Sequence, residues 1–148
     1  MKALIQRVAS AQVKVGPEII GEIGKGWLVF LGVSRSDSGE EIPKLIDKIL
    51  GLRLFPDAEG RFNLSILDVA GSVLVVSQFT LYADCSRGRR PSFTDAGEPL
   101  AARQLYERFI SDLRGKNVEV ATGSFGADMQ VSLVNDGPVT VMLDSDEF

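Results

Sequence analysis

The sequence contains no histidine among its 148 residues, and it has one cysteine, Cys85. Without histidine, a Ser-His-Asp or Cys-His mechanism cannot be built within one subunit or between identical subunits. A single cysteine excludes an intrachain disulfide, and a zinc site would have to combine that thiol with carboxylates. We therefore expect neither a metal nor a cofactor, and any catalysis must proceed without an imidazole base.

Long apolar runs are also absent. None reaches the roughly 18 residues that are needed to cross a membrane. The first residues resemble a strand, and Gln6 and Arg7 interrupt any apolar core of a signal peptide. We therefore expect a cytoplasmic protein that has no membrane partner.

The chain has fewer basic than acidic residues, 16 against 20, so its formal net charge is −4. Proteins that hold long stretches of nucleic acid usually carry a basic face, so the charge argues against such a protein. We do not expect DNA as a partner. Hydrophobic residues make up 45% and charged residues 24%, which is typical of a globular protein. The length predicts one domain over residues 1–148.

Apolar patterning predicts a chain rich in strands. Residues 11–15 and 19–23 alternate on either side of Gly16-Pro17-Glu18, which predicts a hairpin. Residues 27–33 are continuously apolar, which is typical of a strand that is buried on both faces. Further strands are predicted at Ser72–Phe79, Val118–Thr122, Met129–Val134 and Pro138–Leu143.

Two amphipathic helices are predicted between the strands. The first has the apolar spacing i, i+3, i+4, i+7 and i+8 from Ile42 to Leu50, with Pro43 in its first turn. The second begins at Pro99 and ends near Gly115. Residues 55–71 are predicted to be irregular. This order of elements predicts an α/β fold in which two helices pack on a mixed sheet.

The segment Ser77-Gln78-Phe79-Thr80-Leu81 closes a predicted core strand with polar side chains. Ligands commonly bind where strands of α/β proteins end, and N–H groups released there can form an oxyanion hole. The alternative is that the strand simply gives way to a loop, with serine and threonine as turn residues.

The segment Asn135-Asp136-Gly137-Pro138-Val139-Thr140 has the composition of a tight turn between two strands. A functional alternative is that Gly137-Pro138 is a cis peptide whose carbonyls point at a ligand. Only about one X–Pro bond in twenty is cis in folded proteins, so the residues alone favour the turn.

Two further segments have both a functional and a structural interpretation. Arg87, Arg89 and Arg90 lie on a predicted loop, where they could hold phosphates or simply be solvated. The segment Gly123-Ser124-Phe125-Gly126-Ala127 could be a flexible loop or a wall that presents Phe125 to a ligand.

Together these segments resemble the D-aminoacyl-tRNA deacylase family along nearly the whole chain. The two main motifs are Ser77-Gln78-Phe79-Thr80-Leu81 and Asn135-Asp136-Gly137-Pro138-Val139-Thr140, in the order and at the separation usual for the family. The other matching segments are Gln6-Arg7-Val8, Leu52-Arg53-Leu54-Phe55, Asn63-Leu64-Ser65 and Gly88-Arg89-Arg90-Pro91-Ser92-Phe93.

The resemblance implies a compact single domain whose layered mixed sheets form a barrel-like core with two helices outside. It also implies a homodimer with two active sites at the interface. Gly137-Pro138 would be cis and would enter the partner's pocket to reject L-amino acids, and Arg7 would fix that motif. Ser77, Gln78, Phe79 and Thr80 would form the catalytic pocket, and the substrate-binding residues would be Arg7, Phe125, Asn135, Gly137 and Pro138.

The substrate implied by this family is tRNA charged with a D-amino acid, and Arg87, Arg89 and Arg90 would contact its phosphates. If the site works by excluding an L side chain, glycine, which has none, would also be accepted. Since the chain has no histidine, the favoured mechanism uses the 2′-hydroxyl of the terminal ribose to activate or position water. Thr80 as a covalent nucleophile is a rival, although a threonine without a base is weak. Other rivals are a dimer that binds RNA or peptide without catalysis, a structural dimer and a hydrolase of another ester.

Overall fold

Strand β1 (Lys2–Val15) is paired along both of its edges in the computed structural model, which describes residues 1–148. One edge pairs antiparallel with β8 (Gln130–Asp144) over nearly its whole length. The other edge is shared, because β3 (Gly26–Gly32) pairs with the first half of β1 and β2 (Glu18–Ile23) pairs with the second half. The predicted hairpin between β1 and β2 is therefore confirmed.

The sheet continues from β3 through two parallel strands, β6 (Ser72–Ser77) and β7 (Glu119–Thr122). Its order is β2-β1-β3-β6-β7, with β8 as a sixth strand on β1. The two ends of this order approach each other, since Gly21 in β2 lies against the backbone carbonyl of Thr122 in β7. The mixed sheet is thus nearly closed into a barrel, as the family resemblance implied.

Alternation along the strands separates two apolar layers. Ile5 of β1 and Val75 of β6 belong to a core of 21 buried residues that the sheet shares with the helices. Val13 and Leu74 point the other way, into a second core of seven buried residues inside the curved sheet. Side chains of neighbouring residues in a strand, such as Leu74 and Val75, therefore pack in different apolar layers.

Both predicted helices are present outside the sheet. In α1 (Ile42–Gly51), the apolar stripe of the sequence is the buried face, and Pro43 lies in the first turn. In α2 (Pro99–Arg114), the carboxylate of Glu98 caps the helix by accepting a hydrogen bond from the N–H of Ala101. Neither helix combines the length and apolar character that spanning a bilayer requires.

Three details differ from the sequence predictions. Strand β6 ends at Ser77 rather than Phe79, because Phe79–Tyr82 forms a single 3-10 turn. The segment predicted to be irregular contains a small hairpin of β4 (Phe55–Pro56) and β5 (Phe62–Leu64). The two last predicted strands are one strand, β8, with a bulge where we predicted a turn.

Candidate active site

A wide bulge in β8 carries the Gly-Pro motif. Gln6 of β1 pairs with Thr140 and Val8 pairs with Asn135, so Arg7 alone faces the β8 residues 136–139. The surplus residues on β8 must bend away from the ladder. The Gly137–Pro138 peptide bond at this bend is cis, and both residues are exposed.

Arg7 fixes the base of the bulge. It is the one charged residue of the buried set, with 7% of its surface exposed. Its Nε donates a hydrogen bond of 2.8 Å to the carbonyl oxygen of Asp136, and its Nη1 donates to the carbonyl oxygen of Leu54. The ring of Phe62 covers the guanidinium at 5.4 Å. The β4–β5 hairpin and β1 therefore hold the bulge jointly through one planar side chain.

Asn135 closes the bulge from the other side. Its Oδ1 accepts a hydrogen bond from the N–H of Val139 at 2.8 Å, and its Nδ2 donates to the carbonyl oxygen of Val139 at 3.1 Å. Nδ2 also reaches the hydroxyl of Thr140 at 3.1 Å. The asparagine side chain thus replaces the ladder partner that Val139 lacks, and it fixes the two ends of the Gly-Pro segment relative to each other.

An apolar cavity of about 700 Å³ opens where β3 and β6 end. Its walls come from the ends of these strands, the start of α2, the loop that precedes α2 and the start of β8. Ser77, Gln78 and Phe79 form one wall and Phe125 lies on another. The cavity therefore has the position that is expected of a ligand site in a sheet of this kind.

The backbone hydrogen bonds of the sheet end within the segment from Ser77 to Thr80. The N–H of Gln78 still donates to the carbonyl oxygen of Leu31 at 2.8 Å, and the chain then turns into the 3-10 turn. N–H groups at the start of such a turn have no partner within it, which leaves those of Phe79 and Thr80 available. The Gln78 amide donates to the hydroxyl of Thr80.

Two pairs of aromatic rings border the cavity. Phe79 and Phe93 meet edge to face with ring centres 5.0 Å apart, and 58% of the surface of Phe79 is exposed. Tyr106 and Phe125 form the second pair at 5.6 Å. The Tyr106 hydroxyl donates to the carbonyl oxygen of Val75, and burial raises the pKa of Tyr106 to about 12. This phenol therefore stays neutral at any physiological pH.

The predicted site residues fall into three places. Ser77, Gln78, Phe79 and Phe125 line the cavity, with Thr80 directly after them. Arg7, Asn135, Gly137 and Pro138 form the bulge and do not line that cavity. Arg87, Arg89 and Arg90 lie on an exposed loop whose ends are joined by the bridge between Asp84 and Ser92, and none of them forms an ion pair.

Several cavity residues were not predicted from the sequence. Tyr106 and Met129 lie on its walls, as does Glu98. In the sequence, Tyr106 has the spacing of an ordinary core position of α2, so no local signal marks it. No group of three or more Cys, Asp or Glu side chains is arranged to hold a metal ion.

The chain is similar to one well-defined set of proteins. A family model described as D-Tyr-tRNA(Tyr) deacylase matches residues 4–144. The D-aminoacyl-tRNA deacylase of Chloroflexus aurantiacus is 56% identical over all 148 residues, which cover 92% of that relative. The D-aminoacyl-tRNA deacylase of Thermotoga petrophila is 54% identical over the same 148 residues, which cover 99% of that protein.

Two solved structures have the same fold as this chain. A protein titled c-Myc DNA unwinding element binding protein superposes with a TM-score of 0.92 and 41% identity, over 97% of this chain and 98% of that one. A probable eukaryotic D-amino acid tRNA deacylase superposes with a TM-score of 0.80 over 96% of this chain and 97% of its own. At 17% identity, the second structure supports the fold alone.

Proposed function

The chain belongs to the D-aminoacyl-tRNA deacylase family, and from this membership we propose that its apolar cavity holds the aminoacyl-adenosine end of a charged tRNA. As a member of the family it is a hydrolase of D-aminoacyl-tRNA. The observation that carries the proposal is that Ser77, Gln78 and Phe79 lie on the wall of this cavity, at the ends of parallel strands. Aminoacyl-tRNA is used in the cytoplasm, where this activity would be needed.

Hydrolysis of the ester passes through a tetrahedral oxyanion, which must be stabilised by donors. We assign this role to the backbone N–H groups of Phe79 and Thr80, which begin the 3-10 turn. One such donor can lower the barrier by roughly 3 kcal/mol. A bound substrate would cover these donors against the apolar lining of the cavity, which would strengthen their interaction with the oxyanion.

The base is supplied by the substrate in this mechanism. The chain has no histidine, and the Thr80 hydroxyl accepts a hydrogen bond from the Gln78 amide, which cannot take up a proton. Thr80 is therefore poorly activated as a nucleophile. The vicinal 2′-hydroxyl of the terminal ribose is close to the reacting carbonyl, and we propose that it positions or activates the attacking water.

Selection by handedness is assigned to Gly137 and Pro138. Backbone carbonyls at the tip of the bulge would occupy the space that the side chain of an L-amino acid needs, whereas a D side chain would point elsewhere. Glycine has no side chain, so glycyl-tRNA would also be hydrolysed. The hydrogen bonds of Arg7 and Asn135 support this role, because they keep the bulge in one position.

The bulge would act in a second copy of the chain. It is exposed and does not line the cavity of its own chain, so we propose a homodimer in which each bulge enters the partner's cavity. The exposed apolar side chains Val134 and Met142 flank the bulge on β8 and would be covered in such a dimer. Arg87, Arg89 and Arg90 would contact phosphates of the bound tRNA.

The direct experiment measures release of amino acid from tRNA charged with a D-amino acid, an L-amino acid or glycine. We expect release of D-amino acids and glycine only, and the same D-substrate ending in a 2′-deoxyribose should be nearly inert. Full activity on the deoxy substrate, or an acyl group trapped on Thr80 and lost in Thr80→Val, would exclude the RNA-assisted mechanism. Binding without release of any amino acid would favour the module that binds RNA without catalysis.

The shared site can be tested by complementation. A variant with a defective cavity, Phe79→Ala, is mixed and refolded with a variant with a defective bulge, Gly137→Ala. Each mixed dimer would contain one site in which cavity and bulge are both intact, so activity should return on mixing. Two inactive variants that remain inactive together, although they form mixed dimers, would show that each chain builds its site alone.

A further inference from the structure

A second groove lies behind the Tyr106–Phe125 wall of the cavity. Its volume is about 430 Å³, and it runs between the later turns of α2 and the segment from Thr122 to Phe125. Tyr106 and Phe125 line both cavities, so the two cavities adjoin at these rings. Apart from Phe125, the groove contains none of the residues to which the proposed reaction assigns a role.

The lining of the groove is polar and rich in unused donors. Ser111, Thr122 and Ser124 line it, and none of their three hydroxyls forms a hydrogen bond within the chain. The backbone N–H of Ser124 has only the thioether sulfur of Met129 as its partner, at 3.4 Å. Sulfur is a weak acceptor, so this N–H is free for a stronger one.

The groove also carries one uncompensated positive charge. Arg103 and Glu107 both line it, and they neutralise each other in an ion pair of 2.8 Å. Arg114 has no carboxylate within 4.0 Å. Arg114 and Tyr106 both line the groove. The positive charge of Arg114 lowers the pKa of the Tyr106 phenol, against the larger effect of burial.

We propose that this groove binds the phosphate on the 5′ side of the terminal adenosine of the substrate, through Arg114 and the hydroxyls of Ser111 and Ser124. The inference rests on the proposed function, because it assumes adenosine in the adjoining cavity. Arginine, serine, threonine and backbone N–H groups are the usual phosphate contacts of proteins that bind nucleic acid. The 5′ phosphate is separated from the base by a single ribose, which matches two cavities that share one wall.

The test compares adenosine with adenosine 5′-monophosphate as inhibitors of D-aminoacyl-tRNA hydrolysis. With the unmodified protein, we expect the monophosphate to bind about fivefold more tightly than adenosine, which is typical of one exposed charge pair. Arg114→Ala should remove that difference and leave inhibition by adenosine unchanged. Arg108→Ala is the matched control, since Arg108 lies on the same helix, pairs with Asp112 and does not line the groove.

The outcomes separate the two claims. Equal inhibition by adenosine and its 5′-monophosphate in the unmodified protein, or an unchanged preference for the monophosphate in Arg114→Ala, would overturn the groove assignment while hydrolysis of D-aminoacyl-tRNA stands. A loss of adenosine binding in Arg114→Ala would also overturn it, because the arginine would then be shaping the cavity. Absence of hydrolysis in the unmodified protein would instead refute the proposed function.

Discussion

Arg7 donates from its Nε to the carbonyl oxygen of Asp136, 2.8 Å away, and this contact joins the middle of β1 to the residue that precedes Gly137. The same guanidinium donates to the carbonyl oxygen of Leu54. A buried charged group is tolerated when its N–H donors have hydrogen-bond acceptors. For Arg7, both acceptors are backbone carbonyl oxygens, and no other side chain donates to them. The bulge of β8 thus owes its position to a residue more than 120 positions away.

Arg7→Lys tests whether the planar guanidinium is required. A lysine has a single nitrogen and cannot hold two carbonyl groups in a fixed fork, so one of them loses its partner. We expect the free energy of unfolding to fall by about 1–3 kcal/mol and the ratio of D to L hydrolysis to fall with it. Urea denaturation and kinetics with both charged tRNAs measure the two effects. Arg61→Lys, at a largely exposed side chain, should change neither.

Gly137→Ala tests the bulge itself. The backbone of Gly137 has φ of +154°, and an added Cβ would lie 2.7 Å from the backbone nitrogen of Val139. The bulge must shift to relieve that contact, so we expect at least a tenfold loss of kcat/KM on D-aminoacyl-tRNA. Circular dichroism should show that the sheet persists. Gly51→Ala, at the end of α1 with open space around it, should keep full activity, and equal losses in both variants would contradict this role.

Phe93→Ala tests the aromatic border of the cavity. The ring packs edge to face on Phe79, and 38% of its surface is exposed, so little of the core depends on it. Removing it should cost about 0.5–1.5 kcal/mol of binding, which corresponds to a rise in KM of about twofold to tenfold with kcat nearly unchanged. Leu100→Ala removes an exposed apolar side chain that does not line the cavity, and its KM should equal that of the unmodified protein.

Tyr106→Phe tests the buried hydroxyl through its titration. The folded pKa of Tyr106 is raised to about 12, whereas an unfolded tyrosine titrates near 10. The neutral phenol therefore supports the fold fully below pH 10, and this contribution is lost as the pH rises through about 12. At pH 11 the loss is about 1 kcal/mol. Urea unfolding at pH 9 and pH 11 should show a smaller decline in Tyr106→Phe, and equal declines would contradict the assignment.

The sequence predicted the architecture because the relevant signals are local. The apolar stripe from Ile42 to Leu50 and the proline at position 99 mark helices, and the continuous run over residues 27–33 marks a buried strand. The position of the polar segment at the end of β6 was also predictable, since Ser77 and Gln78 interrupt an otherwise apolar run. These features depend on spacing within one element.

The bulge of β8 could not be predicted, because it depends on register between strands that are far apart in sequence. Asn135-Asp136-Gly137-Pro138 has ideal turn chemistry, and only pairing with Gln6 and Val8 on either side shows that the strand resumes. Tyr106 was missed for a similar reason. Its spacing fits any core residue of α2, and its hydrogen bond to Val75 exists only after the helix packs on the sheet.

The Gly-Pro segment, to which we assign selection by handedness, is anchored in paired strands on both sides, whereas substrate-contacting residues more often lie on loops. Thermal motion of this segment is therefore limited by the sheet. A loop can open locally and lose its recognition geometry, whereas here the same change would require paired strands to separate. Heating should consequently leave discrimination between the two hands of amino acid intact until the protein unfolds, so that accuracy and turnover disappear at the same temperature.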